Sequence, residues 1–203
     1  MTVAMDDVRS VKNQQRMTLK EFLTYDDGTD TRYELVDGVL VEMGAENPLN
    51  PQIAVYLLFA FARLGVPERN LIIGHQIGVS SSRATARQPD LIVHSDESRA
   101  AIFDDGKLLR SGCSSPLLVV EVVSNAATDK KSRDRDYEEK TVEYAVRIIP
   151  EYWIVDPDRS WVMVGTLNSG RYQFTTFKGA EPIVSPTFSG LKLTAEQILA
   201  AGL

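Results

Sequence analysis

Glu121 is an acidic residue within the most apolar stretch of the chain. Residues 117–123 read LLVVEVV, and this aliphatic, β-branched composition is typical of a central strand covered on both faces. Because side chains alternate along a strand, Glu121 shares a face with Leu117, Val119 and Val123. A carboxylate on an apolar face is costly unless it is protonated, paired or bound to a metal. The pattern therefore indicates either a metal ligand or an ion pair with a nearby arginine.

Asp90 is a second acid at a strand. It follows Pro89 and precedes the apolar residues 91–93. Since proline cannot donate to a strand ladder, Pro89 suits a strand entry, and Asp90 would then present its carboxylate at the mouth of the strand. By itself the pair is also typical of a plain turn. Together, Asp90 and Glu121 on adjacent strands could hold one Mg²⁺ or Mn²⁺ ion, since both ions prefer oxygen ligands. Such an ion can polarise a phosphodiester and help to ionise a water molecule.

Glu34 is a third acidic candidate. Asp37-Gly38 is a strong two-residue turn signal between apolar runs, so residues 33–43 are predicted to form a hairpin. Glu34 would then lie on the apolar face of that hairpin and would need a partner. An arginine on a neighbouring strand is the alternative to a place in a metal site.

The remaining pattern predicts the elements that position these acids. A capping box at Thr18 and Glu21 begins a short helix. The other elements are a buried helix at 51–64, strands at 71–80 and 90–94 separated by the polar segment 81–88, a long connection at 95–115, the strand at 117–123, an amphipathic helix within 129–149, strands at 151–156, 161–167 and 172–177, and a short helix at 194–201. This order predicts a single mixed α/β (α+β) domain at 17–203 with a C-terminal β-meander, after a loose tail at 1–16.

Composition limits the class of protein. The chain has 203 residues, of which 43% are hydrophobic and 25% are charged, as in ordinary globular proteins. Its one cysteine, Cys113, allows no intrachain disulfide and no cysteine-based zinc cluster, which fits a reduced, cytoplasmic location. The polar N-terminus has no signal-peptide pattern, and the longest apolar run, 53–62, is far shorter than the ~20 residues that a membrane span requires. We therefore expect a soluble protein with no membrane partner.

The net charge of −6 does not favour nucleic-acid binding, because phosphate contacts depend on lysine and arginine. Any such contact must come from a local basic patch or from metal ions. The best candidate patch comprises Lys130, Lys131, Arg133 and Arg135, together with Arg83 and Arg87. The same charge run is also typical of a solvated helix face.

Several other residues can be assigned from their positions. Gln88 and Ser124 flank the two acids, where an amide or a hydroxyl could hold a water molecule or a phosphate oxygen. His75 and His94 are isolated in sequence from other candidate ligands, so we interpret them as structural or surface residues. Trp153 and Trp161 lie in predicted strands and are interpreted as core or interface residues.

Taken in order, these motifs resemble a known family. Pro89-Asp90 followed by Glu121-Val122-Val123 resembles the motif of the PD-(D/E)XK nucleases. More closely, the chain resembles the Uma-type restriction endonucleases, a bacterial family whose function is largely unassigned. The matching stretches are 33–38, 88–90, 120–124, 136–140 with Tyr144, and 151–156, and they extend over about residues 18–200.

The resemblance implies a restriction-endonuclease-like core, with a central mixed β-sheet flanked by helices, Asp90 and Glu121 as Mg²⁺ (or Mn²⁺) ligands, and Glu34 at the edge of the metal site. It also shows one departure, because Val123 stands where the superfamily carries a lysine that orients water and stabilises negative charge. Lys140, on the following helix, fits the substitute proposed for this family. The alternative for Lys140 is a solvated lysine paired with Asp136, four residues earlier.

The leading hypothesis is a divalent-metal-dependent endonuclease that hydrolyses DNA phosphodiester bonds, with the choice between DNA and RNA left open. A second hypothesis is a nuclease-fold protein with little or no catalysis that acts as a binding or interaction module. A small-molecule hydrolase ranks third, since no Gly-rich phosphate loop or nucleophile elbow is present. Association into a homodimer is a further expectation, because related nuclease folds often dimerise so that their two active sites act on the two strands of a nucleic-acid duplex.

Overall fold

The computed structural model describes residues 16–43, 47–80, 84–124 and 134–201, which form two β-sheets and the helices that flank them, including a 3-10 helix at Glu68–Asn70. The first sheet has the strand order β2-β1-β5-β4-β7. Its strands are β1 (Tyr33–Val36), β2 (Val39–Glu42), β4 (Gln76–Ser80), β5 (Ala84–Arg87) and β7 (Leu108–Leu109). The β1–β2 hairpin turns at Asp37 and Gly38, both of which have a positive φ, so the predicted two-residue turn is confirmed.

The second sheet contains the apolar strand predicted to be central. Its order is β11-β10-β9-β8-β6-β3, from β3 (Leu71–Ile72), β6 (Leu91–Val93), β8 (Leu118–Val122), β9 (Glu151–Asp156), β10 (Trp161–Asn168) and β11 (Arg171–Lys178). Strands β8 and β9 are parallel and every residue in them is buried, whereas β9, β10 and β11 form the predicted antiparallel meander. The mixed α/β class is thus confirmed, with two mixed sheets where one central sheet was expected.

Helices cover both faces of β8. The described helices are α1 (Leu19–Phe22), α2 (Leu49–Arg63), α3 (Asp96–Asp105), α4 (Lys140–Val146) and α5 (Ala195–Leu199), and a π-helical turn, Arg135–Glu139, leads directly into α4. Helix α2 packs with Val120 and Val122 on one face, whereas Tyr144 of α4 packs with Val119 and Val123 on the other. The alternation predicted for β8 is therefore confirmed, and Glu121 lies on the face that α4 covers.

The segments predicted as connections contain regular structure. Residues 95–115 contain α3, which Ser95 caps, and the short strand β7, whereas 81–88 contains β5. These predictions were wrong because α3 buries only Ser98 and Ile102, so it shows no apolar periodicity, and because the β5 strand is short and polar.

Two element boundaries also differ from the prediction. The strand expected at 71–80 divides at Gly74, where φ is +93°, and its halves join different sheets. The helix expected to reach 149 ends at Val146, which leaves Ile148 exposed. Among the described residues, no helix is long and apolar enough to cross a membrane. The predicted tail at 1–16 lies outside them except for Arg16.

Candidate functional site

Glu121 is buried beneath α4 with both carboxylate oxygens engaged. Only 3% of the residue is exposed. Its Oε1 accepts a 2.7 Å hydrogen bond from the hydroxyl of Tyr144, and its Oε2 lies 2.8 Å from Nζ of Lys140. The pairing expected for a buried acid is therefore present, and the partner is a lysine rather than an arginine.

Lys140 joins the strand to its own helix. Its buried ammonium lies 2.8 Å from Oε2 of Glu121 and 2.8 Å from Oδ1 of Asp136, one turn earlier. The hydroxyl of Tyr152 donates a 2.8 Å hydrogen bond to the backbone carbonyl of Asp136. Asp136, Lys140 and Tyr144 thus form a polar row, spaced by four residues, that faces Glu121. The alternative of a solvated lysine is excluded by burial, although its pairing with Asp136 is present.

Asp90 lies at the same end of the second sheet as Glu121. Strand β6 pairs antiparallel with β8, with Leu91 opposite Val120. Continuing this register by one residue puts Asp90 opposite Glu121, and directly opposed side chains project from the same face. Oδ2 of Asp90 accepts a 2.6 Å hydrogen bond from the backbone N–H of Val122. The two predicted ligands therefore lie side by side at one end of the paired strands β6 and β8, with the Asp90 side chain fixed against β8.

Glu34 lies in the first sheet and is paired with an arginine. Its Oε2 is 3.2 Å from Nη1 of Arg87 on the adjacent strand β5, and its Oε1 accepts a 3.0 Å hydrogen bond from the backbone N–H of Gln88. The alternative of an arginine partner on a neighbouring strand is thus present. Glu34 also interacts electrostatically with Lys140, so it belongs to the same charged cluster.

Arg87 connects the first sheet to α4. Its guanidinium also makes two 2.8 Å hydrogen bonds to Glu143 and one of 3.1 Å to Glu139. The side chain has 0% exposure, so it has no surface with which to contact a nucleic-acid backbone. The expectation that Arg87 belongs to a basic binding patch was therefore wrong, because three carboxylates use its donors inside the protein.

Burial and neighbouring charges shift the pKa values of these groups in different directions. Burial, reinforced by Asp136 and Glu34, raises the pKa of Glu121 to about 7, although Lys140 opposes the shift. Burial would also raise the pKa of Glu34, but Lys140 and Arg87 outweigh it and lower that pKa. Burial would lower the pKa of Lys140, but Asp136, Glu121 and Glu34 raise it above its ordinary value. Lys140 therefore remains a cation, and the carboxylate of Glu121 beside it binds a proton more readily than an exposed glutamate does.

The residues predicted to flank the acids take different roles. Gln88 contributes its backbone N–H to Glu34, as described above. The hydroxyl of Ser124 accepts a 2.5 Å hydrogen bond from Nδ2 of Asn50 on α2, which also donates to the carbonyl of Val122 at 3.3 Å. Ser124 is thus held beside the end of β8. Arg135 begins the π-helical turn and lies near Glu34, whereas Arg83, Lys130, Lys131 and Arg133 lie outside the described residues.

The main residues that the sequence argument missed are Tyr144 as a polar partner of Glu121, and Glu139 and Glu143 as partners of Arg87. The sequence signal that could have found them is a spacing of four residues, because it puts Tyr144 on the same helix face as Lys140 and puts Glu143 on the same face as Glu139. Sequence alone left Tyr144 as part of the family match without a partner, since a tyrosine can satisfy both an apolar position and a hydrogen bond.

The two histidines, interpreted as structural, lie against each other. Nδ1 of His75 is 3.2 Å from Nε2 of His94, and Nδ1 of His94 is 2.9 Å from the hydroxyl of Ser98. Burial, together with His75 and Arg99, lowers the pKa of His94 to about 4. The pair is therefore neutral near pH 7, as expected for a packed structural element.

Comparison with known proteins identifies the family. A model of the Uma2 family, described as "Putative restriction endonuclease", matches residues 19–196. The chain belongs to the Uma2 family. Its fold resembles the crystal structure of a "putative nuclease" from Anabaena variabilis, with a TM-score of 0.69 and 15% identity over 92% of this chain and 99% of that one. No curated protein matches the chain.

The donor set is chemically compatible with a divalent ion. No group of three or more His, Cys, Asp or Glu side chains in the described part of the chain is arranged to hold a metal. However, Mg²⁺ commonly binds through one or two carboxylates and keeps several waters, and Asp90 with Glu121 supplies such a pair. The paired carboxylates of the cluster also outnumber their cationic partners, Lys140 and Arg87.

Proposed function

We propose that this Uma2 protein is a divalent-metal-dependent endonuclease that hydrolyses DNA phosphodiester bonds. The observation that carries the proposal is that two carboxylates and one ammonium group lie together at one end of strands β6 and β8. Asp90 is fixed on the backbone of Val122, Glu121 is in register with it, and the Lys140 ammonium is 2.8 Å from Glu121. Membership of the family and the likeness to a nuclease fold support the same assignment.

Asp90 and Glu121 are the proposed ligands of Mg²⁺ or Mn²⁺. An ion bound there would polarise the phosphodiester and promote ionisation of the attacking water. Lys140 is proposed to orient that water and to stabilise developing negative charge. Val123 cannot do so, because it is buried in the apolar cluster with Tyr144 and Val119.

Glu34 is proposed to assist at the edge of the site. Its lowered pKa keeps it ionised near pH 7, since Lys140 and Arg87 offset the cost of burial. Gln88 and Ser124 are proposed as secondary contacts to water or phosphate oxygen. Ser124 is the better placed of the two, because Asn50 fixes its hydroxyl beside the end of β8.

DNA is proposed to contact Arg135 together with Lys130, Lys131 and Arg133, which follow β8 in the chain. With a net charge of −6, we expect weak, nonspecific binding that weakens further as salt increases. A homodimer in the cytoplasm remains part of this proposal.

The test is a plasmid-nicking assay in Mg²⁺ and in Mn²⁺ with the wild type and with Asp90→Asn. Asp104→Asn on exposed α3 is the matched control, because it makes the same change of charge away from the cluster. We expect Asp90→Asn to lower the rate by about 100-fold or more, and Asp104→Asn to leave it unchanged. A wild type that nicks no DNA across varied substrates, or an equally active Asp90→Asn, would contradict the assignment.

A binding or interaction module is the second candidate. The observation in its favour is that Lys140 already satisfies Oε2 of Glu121 and Tyr144 already satisfies Oε1. This function predicts that Mn²⁺ binding, measured by calorimetry, is absent or is unaffected by Asp90→Asn and Glu121→Gln.

A further inference from the structure

The Lys140 ammonium lies where it would interfere with a cation on Glu121. It is 2.8 Å from Oε2 of Glu121, which is direct contact between a full positive charge and a proposed ligand atom. The other oxygen of Glu121 accepts a hydrogen bond from the hydroxyl of Tyr144. An ion that binds this carboxylate must therefore share it with Tyr144, with Lys140 or with both.

Tyr144 and Lys140 differ in how strongly they would oppose a cation that binds Glu121. The Tyr144 hydroxyl is a neutral donor to Oε1, so it can stay in place beside a ligated carboxylate. The Lys140 ammonium repels a divalent ion at contact distance, and burial strengthens that repulsion because the screening by water is small. Lys140 is thus the partner that must withdraw.

Asp136 provides the place to which Lys140 can withdraw. Its Oδ1 is also 2.8 Å from Nζ of Lys140, and the two residues are one turn apart on the same helical segment. The backbone of Asp136 is fixed by the hydroxyl of Tyr152. Lys140 can consequently leave Glu121 without losing its second carboxylate, and a buried cation need not be left unpaired.

We propose that Lys140 is a built-in counter-ion of Glu121, which neutralises this carboxylate in the metal-free protein and yields it to a divalent cation. Asp136 acts as the positioning residue that retains the ammonium beside the site after the exchange. The inference rests on the proposed role of Glu121 as a ligand and deepens it, because it makes metal binding a competition that the protein itself controls.

The principal test measures affinity for MnCl₂ by calorimetry, without DNA. The wild type is compared with Lys140→Met, which keeps most of the length of the side chain and removes its charge. Lys192→Met is the control, since Lys192 is exposed and its substitution changes the net charge equally. We expect Lys140→Met to bind Mn²⁺ at least about tenfold more tightly than the wild type, and Lys192→Met to match the wild type. Equal or weaker binding by a folded Lys140→Met variant overturns the proposal.

A second measurement needs no variant, so it holds if Lys140→Met does not fold. In wild-type protein labelled with ¹⁵N at lysine, addition of Mg²⁺ should shift the side-chain Nζ resonance of Lys140 and leave that of Lys192 in place. An unchanged Lys140 resonance at Mg²⁺ saturation overturns the proposal. Wild-type protein that shows the exchange but does not cleave DNA overturns the endonuclease activity alone, whereas cleavage without the exchange overturns only the counter-ion role.

Discussion

Arg87→Met should destabilise the protein strongly, because Arg87 holds three carboxylates from two parts of the fold. The guanidinium contacts Glu34 of the first sheet and Glu139 and Glu143 of the helical segment that covers the second sheet. Methionine keeps the unbranched apolar stem of the side chain, but it is shorter than arginine and donates no hydrogen bond. The substitution therefore tests mainly the ionic network, because much of the packing by the stem is retained.

The magnitude follows from how well each abandoned carboxylate can be hydrated. The side chain of Glu139 is 53% exposed, so water can hydrate its carboxylate when Arg87 is removed. The side chains of Glu143 and Glu34 are only 14% and 6% exposed, so their carboxylates would be left poorly hydrated. Removal of one partner of a buried ion pair costs about 3–5 kcal/mol. Glu34 keeps its hydrogen bond from the backbone N–H of Gln88, so we expect the lower end, about 3 kcal/mol, out of a total stability on the order of 5–15 kcal/mol.

The assay is urea unfolding followed by circular dichroism, with Arg16→Met as the control. Arg16 also pairs with an aspartate, Asp37, but the two side chains are 45% and 39% exposed, so the loss of Arg16 should cost less than about 1 kcal/mol. Addition of Glu34→Gln to Arg87→Met should restore part of the stability, because it removes the buried charge that was left unpaired. If Arg87→Met cost no more than Arg16→Met, the ionic network would not contribute the expected stability.

Three further predictions concern individual contacts. Burial lowers the pKa of His94 in the folded protein to about 4. Below pH 6.5 the unfolded chain therefore binds a proton at this histidine more readily than the folded protein does, so stability decreases as the pH decreases. His94 should account for about 2 kcal/mol of the loss in unfolding free energy between pH 7 and pH 5, measured as the difference between wild type and His94→Gln in urea at both pH values; equal losses would contradict this origin. Tyr144→Phe removes the 2.7 Å hydrogen bond to Glu121 and should cost about 2 kcal/mol in the same assay, and a cost near zero would show that the carboxylate has another donor. Gly165→Ala puts a Cβ 2.6 Å from the ring of Phe174 and should lower the unfolding free energy by about 1–3 kcal/mol, whereas an unchanged melting temperature would show that the ring moves freely.

The elements with local sequence signals could be predicted without coordinates. The Asp37-Gly38 turn, the capping box at Thr18 and the apolar strand around Glu121 are all observed where they were predicted. In each case neighbouring residues decide the conformation, through positive φ values, a side-chain cap or alternating burial. Helix α3 was missed although Ser95 caps it, because it buries only Ser98 and Ile102 and so shows no apolar periodicity. Strand β5 was missed because it pairs with β1, which is distant in sequence.

The same division holds for the candidate site. Asp90, Glu121, Glu34 and Lys140 could be selected from the sequence, because acids next to apolar strands and an ordered family motif are visible without coordinates. Only the tertiary structure decided how they are partnered. It placed Lys140 between Glu121 and Asp136 and turned Arg87 from an expected surface contact into a buried connection. The physical reason is that the charge state and role of a buried ionic group depend on which other groups the fold brings within about 3 Å, and sequence separation does not encode that distance.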